Sequence, residues 1–376
     1  MSFYDELKPF KWQEIEKEIQ GRTSAEVEAA LAARTLDFDH LISLLSPAAE
    51  PYLEETARRS HLLTRQRFGN TVSLFAPLYV SNVCTNSCAY CGFNVHNPVS
   101  RLTLTPEQAV VEGEFIRNMG FRHLLLVSGE APKVSSLQYF SEIADRLRPL
   151  FSSLSVEVYP MSTEDYRCLI AHGVDGLTVF QETYNEEFYP TVHLGGRKRN
   201  FRWRLETPDR GGEAGFRRLG LGALLGLANW RVEAFCMALH SRYLMRKYWQ
   251  SQVSISFPRL RPAAGGFQPQ HPVSDLEFVQ LLTALRLFLP DVGFTLSTRE
   301  PAALRDNLIP LGITSISAGS RTDPGGYTMG NQGSVAEAQF EIADHRSPEA
   351  VAEVIRQKGY DPVWKDWDEA FLDTAV

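Results

Sequence analysis

Cys84, Cys88 and Cys91 crowd into eight residues of a 376-residue chain, spaced C-x3-C-x2-C. Three thiolates on one tight loop can hold three corners of a cubane iron–sulfur cluster. The fourth iron then has no protein thiolate and can bind a small molecule. A fully ligated electron carrier would need a fourth cysteine nearby, and none follows. A structural zinc site with His96 as fourth ligand, or plain buried thiols, are the competing readings; zinc fingers usually pair C-x2-C with a distant second pair. The chain has five cysteines, an odd number, which does not suit a secreted disulfide framework. Cys168 and Cys236 stand singly in helix-like segments and read as packing residues.

The elements that must position this loop are legible as short apolar runs. They cover Leu78–Ser81, His123–Ser128, Leu154–Tyr159, Leu177–Gln181, Leu219–Leu225, Val253–Phe257, Val292–Ser297 and Ile313–Ser317. Helix signals lie between several of them. Thr105-Pro106-Glu107-Gln108 combines an N-cap, a proline in the first turn and a Gln at the third position, with Gly120 as the stop. Ser162-Thr163-Glu164-Asp165 opens a helix that stops near Gly173, and Thr207-Pro208-Asp209 opens another. Repeated β-then-α units imply a parallel sheet with right-handed crossovers. Eight strands over 71–320 predict an α/β fold, a (β/α)8 TIM-type barrel, with an open doubly wound sheet as the alternative. Residues 1–70 read as an N-terminal helical extension: a capping box at Thr23–Glu26, then helical stretches from Asp37 to Leu45 and from Pro51 to Arg67. Residues 321–376 read as a C-terminal cap, with a loop at Gly325-Gly326 and a helix from Pro348 to Lys358. The cysteines thus fall in the first βα loop, on the face where barrel enzymes build their sites.

Composition bounds the rest. Hydrophobic residues make up 44% and charged residues 22%, as in an ordinary globular chain. The formal net charge is −7, from 38 basic and 45 acidic side chains, so a global pull toward nucleic acid or anionic membrane is not expected. The opening MSFYDELKPFKW lacks an apolar signal core, and the longest uncharged apolar run, 219–230, is too short to span a bilayer. The expectation is a soluble cytoplasmic protein.

C-x3-C-x2-C with an aromatic residue, Tyr90, before the last cysteine resembles the signature of the radical S-adenosylmethionine (SAM) superfamily. Further segments resemble its aromatic amino-acid lyases, and among them the tyrosine lyases of thiazole biosynthesis: RQRFGNTVSLFAPLYVSNVCTNSCAYCGF, HLLLVSGE, VFQETY, WRLETPDR, GLGALLGL, SFPRLRP, LSTREP and PVWKDWD. They run from Leu63 to Asp368. The resemblance implies one [4Fe-4S] cluster on Cys84, Cys88 and Cys91, with SAM bound at the open iron. It implies that Tyr90 and the turn Ser128-Gly129-Glu130 approach the cofactor, Glu130 accepting from its amino group. Glu182 would contact the ribose, with Gln181 as competitor, and Arg204 would grip the cofactor carboxylate. Alternation in the third strand puts Ser155, Glu157 and Tyr159 on one face. Glu157 is then a cofactor-contact candidate, with a structural ion pair as the equal alternative. Arg299 and Ser317, ending strands seven and eight, are candidates for the carboxylate of the amino-acid substrate, with Arg259 and Arg261 as alternatives. Arg197, Lys198, Arg199 and Arg202 read as a solvated basic loop.

The reaction so implied is cleavage of the Cα–Cβ bond of L-tyrosine. The 5′-deoxyadenosyl radical takes a hydrogen atom from the amino group, and the products are 2-iminoacetate and, after one-electron reduction and protonation of the benzylic fragment, p-cresol, with methionine and 5′-deoxyadenosine from SAM. The imine would pass to a thiazole synthase. Electrons would come from flavodoxin or ferredoxin, ultimately NADPH. The rivals are a hydrogenase-maturation tyrosine lyase, a tryptophan lyase on the same scaffold, and a non-catalytic metal-binding scaffold. The first would carry a second cluster, yet no cysteine follows Cys236.

Overall fold

The computed structural model describes residues 2–329 and 336–368. Eight strands form its centre: β1 (Thr71–Ser81), β2 (His123–Ser128), β3 (Ser153–Glu157), β4 (Val174–Glu182), β5 (Arg218–Ala223), β6 (Gln252–Ser256), β7 (Gly293–Leu296) and β8 (Ser315–Ser317). Each pairs in parallel with its sequence neighbour, and β8 returns to β1 with Ser73 opposite Ser315 and Phe75 opposite Ser317. The sheet is therefore a closed barrel and not the open alternative.

Period-two alternation sorts each strand into two faces. In β1, Val72, Leu74, Ala76, Leu78 and Val80 are buried among the outer helices, while Phe75, Pro77 and Tyr79 line the lumen. In β3, Leu154 and Val156 face outward and Ser155 and Glu157 inward. The inward positions of β3 and of β6 to β8 are mostly Ser and Thr, so one side of the lumen, a cavity of about 170 Å³, is polar while Phe75, Pro77, Val127 and Phe180 keep the rest apolar. That departs from the packed aliphatic layers usual in such barrels.

The helix signals act as expected. Thr105 caps helix Pro106–Asn118 and shares a capping box with Gln108; Ser162 does the same with Asp165 for Thr163–Ala171. Differences lie at strand edges. β1 starts at Thr71, seven residues before the apolar run, because its inward residues interrupt that run. β3 stops at Glu157, before Tyr159. Helix Leu53–Phe68 buries Thr56, Ser60 and Thr64, a small polar face that fits closely against neighbouring helices. The Ser60 hydroxyl donates to the Leu311 carbonyl there.

A ninth strand, β9 (Asp361–Val363), pairs in parallel with the start of β1, where the sequence offered little strand signal. Beyond it Trp364 packs edge-on against Phe121. Asp366 meets His123 and Arg218, each at 2.9 Å, and accepts from the Ser73 hydroxyl at 3.1 Å. This tail, quoted above among the resembling segments, closes the amino-terminal mouth of the lumen, opposite the cysteines.

Candidate active site

The cysteine loop leaves β1 at Ser81 and is pinned at every few residues. Gly129 N–H donates to the Ser81 carbonyl at 2.9 Å, and Thr85 N–H to the Glu130 carbonyl at 3.0 Å. Ser87–Cys88 forms a two-stranded antiparallel ribbon with His193–Gly195. Arg101 donates to the carbonyls of Asn82 and Phe93 at 2.7 and 2.9 Å. A Cβ on Gly129 would lie 2.3 Å from the Val83 carbonyl oxygen, so the turn after β2 fits under the loop only as glycine.

All three cysteines are free thiols. Burial pushes each of their pKa values up. Coordination by a metal turns such buried thiols into thiolates at neutral pH. Donors already reach two sulfurs: Asn86 N–H to Cys84 Sγ at 3.5 Å and the Gln339 amide to Cys91 Sγ at 3.8 Å. Among the described residues no three His, Cys, Asp or Glu side chains converge on a single metal ion, and His96 is exposed. A single zinc ion would need four such ligands at one point, and the described residues do not bring even three together. A cubane gives each thiolate its own iron, and the three-thiol loop fits that donor pattern.

Behind the loop lies a buried set of charges. Arg204, in the short helix Phe201–Leu205, pairs with Glu130 at 2.7 Å and donates through Nε to the Phe180 carbonyl at 2.6 Å. Glu130 also accepts from the Asn86 amide at 2.7 Å. Glu182 ends β4 with φ +72°, alone among the described non-glycine residues in having positive φ. It pairs with Lys198 at 2.6 Å and lies 3.8 Å from Arg204. Burial alone would raise the Glu182 pKa, but Lys198 and Arg204 outweigh it and hold the carboxyl low. Lys198 is correspondingly held cationic: burial and Arg204 oppose the charge, and Glu182 prevails.

Glu157 differs, having no cation within ion-pair distance among the described residues. Burial, then the nearby Glu182, push it up to about 7 against the pull of Arg299. Among the described residues the structural ion pair offered as its alternative role is absent. Arg299 makes no ion pair among the described residues either; its guanidinium stacks 3.3 Å from the centre of the Phe340 ring. Glu157, Arg299 and Ser317 all line the lumen. A smaller cavity of about 50 Å³ joins Cys91, Tyr90, Glu182 and Lys198 to Glu157 and Arg299. The two cavities share Glu157 and Arg299 and so adjoin, running from Cys91 past Glu182 and Glu157 to Arg299.

Of the expected site residues, Cys91, Tyr90, Glu157, Glu182, Arg299 and Ser317 line these two cavities, while Cys84, Cys88, Ser128, Gly129, Glu130 and Arg204 lie outside their lining. Tyr90 donates or accepts at His193 Nε2, 2.8 Å away, and burial pushes that imidazole down to about 3, so it is neutral. Ser128 turns its hydroxyl to the Gly129 carbonyl at 3.0 Å. Arg259 is structural, paired with Glu300 and Asp275. Among the described residues neither amide atom of the buried Gln181 has a hydrogen-bond partner, and neither does the buried Arg261 Nε. The solvated-loop expectation is corrected at one residue. Arg197, Arg199 and Arg202 are exposed, but Lys198 points inward beneath Tyr90. The turn that sends it there starts at Gly196, φ +85°, where a Cβ would strike Asn86. Tyr79, whose hydroxyl donates to Gln339 at 2.8 Å, Gln339 itself and Asn86 also belong to the site. The Gly195-Gly196 pair was the one sequence signal for Lys198; nothing in the tail marked Gln339.

Two family models divide the chain: the Radical SAM superfamily over residues 78–238 and the Biotin and Thiamin Synthesis associated domain over 256–361. A closed barrel with a three-thiol loop at its carboxyl-terminal mouth and that first match define the class, a radical SAM enzyme. The 2-iminoacetate synthases of Escherichia coli (strain K12) and Salmonella typhimurium are each 48% identical over 368 residues, 98% of this chain and 97% of theirs. The chain belongs to the 2-iminoacetate synthase family. Its fold also matches the crystal structure of HydG, a maturase of the [FeFe]-hydrogenase, at TM-score 0.87 and 31% identity, covering 96% of this chain and 83% of that one. Methylornithine synthase (PylB) matches at TM-score 0.70 and 20% identity, over 90% of this chain and 97% of that one, a likeness of fold alone.

Proposed function

We propose that this chain is a carbon–carbon lyase that cleaves the Cα–Cβ bond of L-tyrosine to 2-iminoacetate and p-cresol, consuming SAM to methionine and 5′-deoxyadenosine, for the thiazole of thiamin. The supporting observation is the pair of adjoining cavities that links Cys91 of the cysteine loop to the lumen arginine, Arg299. Cys84, Cys88 and Cys91 hold a [4Fe-4S] cluster. When bound, the cluster and SAM together supply a 5′-deoxyadenosyl radical. The protein orients the two small molecules and excludes water.

Glu130 accepts from the cofactor amino group, with Ser128 and Gly129 shaping the turn against the loop. Arg204 holds Glu130 in place and offers its remaining amino group to the cofactor carboxylate. Glu182 takes the ribose hydroxyls, Tyr90 packs beside the cofactor, and Glu157 faces it from the lumen. Arg299 and Ser317 hold the tyrosine carboxylate. A planar guanidinium already stacked on Phe340 suits a bidentate grip. Electrons come from flavodoxin or ferredoxin, ultimately NADPH, and the imine passes to thiazole synthase in the cytoplasm, since it hydrolyses in water. No described helix is long and apolar enough to cross a membrane.

Anaerobic reconstitution with SAM, a one-electron reductant and either tyrosine or tryptophan tests the reading. Tyrosine should give p-cresol and glyoxylate, the hydrolysed imine, with 5′-deoxyadenosine. Production of 3-methylindole or 3-methylindole-2-carboxylate from tryptophan, with no p-cresol from tyrosine, would move the enzyme to the tryptophan lyases.

A further inference from the structure

Glu182 occupies a backbone position that its own residue type disfavours. Its φ of +72° lies in the left-handed region, where a non-glycine residue persists only if the surroundings over-determine it. The strand is also irregular there. Phe180 pairs with Gly222 and Glu182 with Ala223, so the register shifts across Gln181. Such a bulge re-aims the side chain that follows it.

The next three residues are held by a buried carboxyl group from another element. Glu233 sits in the first turn of helix Trp230–Lys247 and is 1% exposed. The Thr183 hydroxyl donates to Glu233 Oε1, and the Tyr184 backbone N–H donates to Oε2 at 2.9 Å. Asn185 N–H in turn donates to the Thr183 hydroxyl oxygen at 3.1 Å. Seven residues along the same helix face, His240 Nδ1 meets the Tyr184 hydroxyl at 3.0 Å. Phe3 stacks flat on His240, 3.8 Å between ring centres. Among the described residues Glu233 has no cationic partner, and burial pushes its pKa up to about 8. A carboxyl buried without a countercharge is costly, and packing alone gives no reason for one.

We propose that Glu233 is a positioning residue of the cofactor site: by fastening Thr183 and Tyr184 it fixes the left-handed turn that aims the Glu182 carboxylate at the cofactor ribose. This rests on the reading of Glu182 as a ribose contact. Glu233 touches neither cofactor nor substrate; it acts through the turn.

Glu233→Gln keeps one acceptor and presents an amide N–H2 to the other donor. In the reconstituted holoenzyme it should keep full iron content and raise the SAM KM about tenfold, leaving the tyrosine KM within about twofold. Thr183→Val, which removes the hydroxyl donor, should move the SAM KM in the same direction and stands in if the first variant fails to fold. Glu182→Gln should raise the SAM KM by itself, and adding Glu233→Gln to it should change little further, because both act at one point. An unchanged SAM KM in both Glu233→Gln and Thr183→Val, or additive effects in the double variant, would overturn the proposal. So would SAM and tyrosine KM values rising together with a lower Tm, the mark of a merely structural residue. An unchanged SAM KM in Glu182→Gln would instead remove the ribose reading itself.

Discussion

Arg299 is half-buried and makes no ion pair among the described residues, and burial lowers its pKa despite the nearby Tyr79, Glu182 and Glu157. A desolvated guanidinium with no carboxylate in ion-pair distance among the described residues is poised for an anionic ligand. Arg299→Ala should therefore lower p-cresol formation by about a hundredfold or more, while 5′-deoxyadenosine still forms. Arg299→Lys should recover little, because an ammonium lacks the planar fork. Measuring both products in one reaction checks this; p-cresol yield equal to wild type would take Arg299 out of the substrate site. Glu157 supplies a pH dependence. Its folded-state pKa, about 7, lies above the ordinary 4.5. The fold is thus favoured at low pH, fully below the unfolded value, and that advantage is lost as pH rises through about 7. In the cluster-free protein, Glu157→Gln should flatten the fall in Tm between about pH 5 and 8. A fall as steep as wild type would show that Glu157 titrates elsewhere.

At the scale of elements, what the sequence made legible depended on periodicity. Outward strand residues are aliphatic and capped helices follow, so all eight strands were readable, whereas Pro77 and the inward Ser and Phe residues hid the first half of β1. Lys198 was not readable because its neighbours, Arg197 and Arg199, are exposed and give the run a solvated character. Only the chain reversal at Gly196 turns it inward. Tail residues were opaque for a similar reason: their contacts are with residues hundreds of positions away. Gly129→Ala should abolish cluster incorporation, since the added methyl meets the Val83 carbonyl and Cys84 Cβ. Iron content near wild type would show that the turn can give way. The tail closure has its own signature. Burial would raise the Asp366 pKa, but the His123 hydrogen bond and Arg218 hold it well below 3.8. A depressed carboxyl stabilises the fold above its unfolded pKa, and that contribution is lost as pH falls. Asp366→Asn should lower Tm at pH 7 by about 2–4 °C and shrink the difference from wild type below about pH 3. An unchanged Tm at pH 7 would leave the tail without a part in stability.

The whole molecule places its chemistry inside a wall. The N-terminal helices share one continuous hydrophobic core with the barrel, from Phe3 to Tyr360. The segment around Gln339 and Phe340 crosses the thiol-bearing mouth, with Gly92 N–H donating to the Gln339 carbonyl at 3.2 Å. Asp344, held by the buried Arg305, anchors that crossing segment. A chain segment thus crosses each mouth of the lumen and narrows it, which suits a reaction that must limit water and stray reductant. The central claim is that three thiolates leave one iron open and that SAM takes it. Electron–nuclear double resonance on the reduced, reconstituted protein with SAM labelled by 15N at the amino group and 17O at the carboxylate tests this directly. Hyperfine coupling of both labels to the cluster is the expected result. A fully loaded [4Fe-4S] protein that shows neither coupling would contradict it.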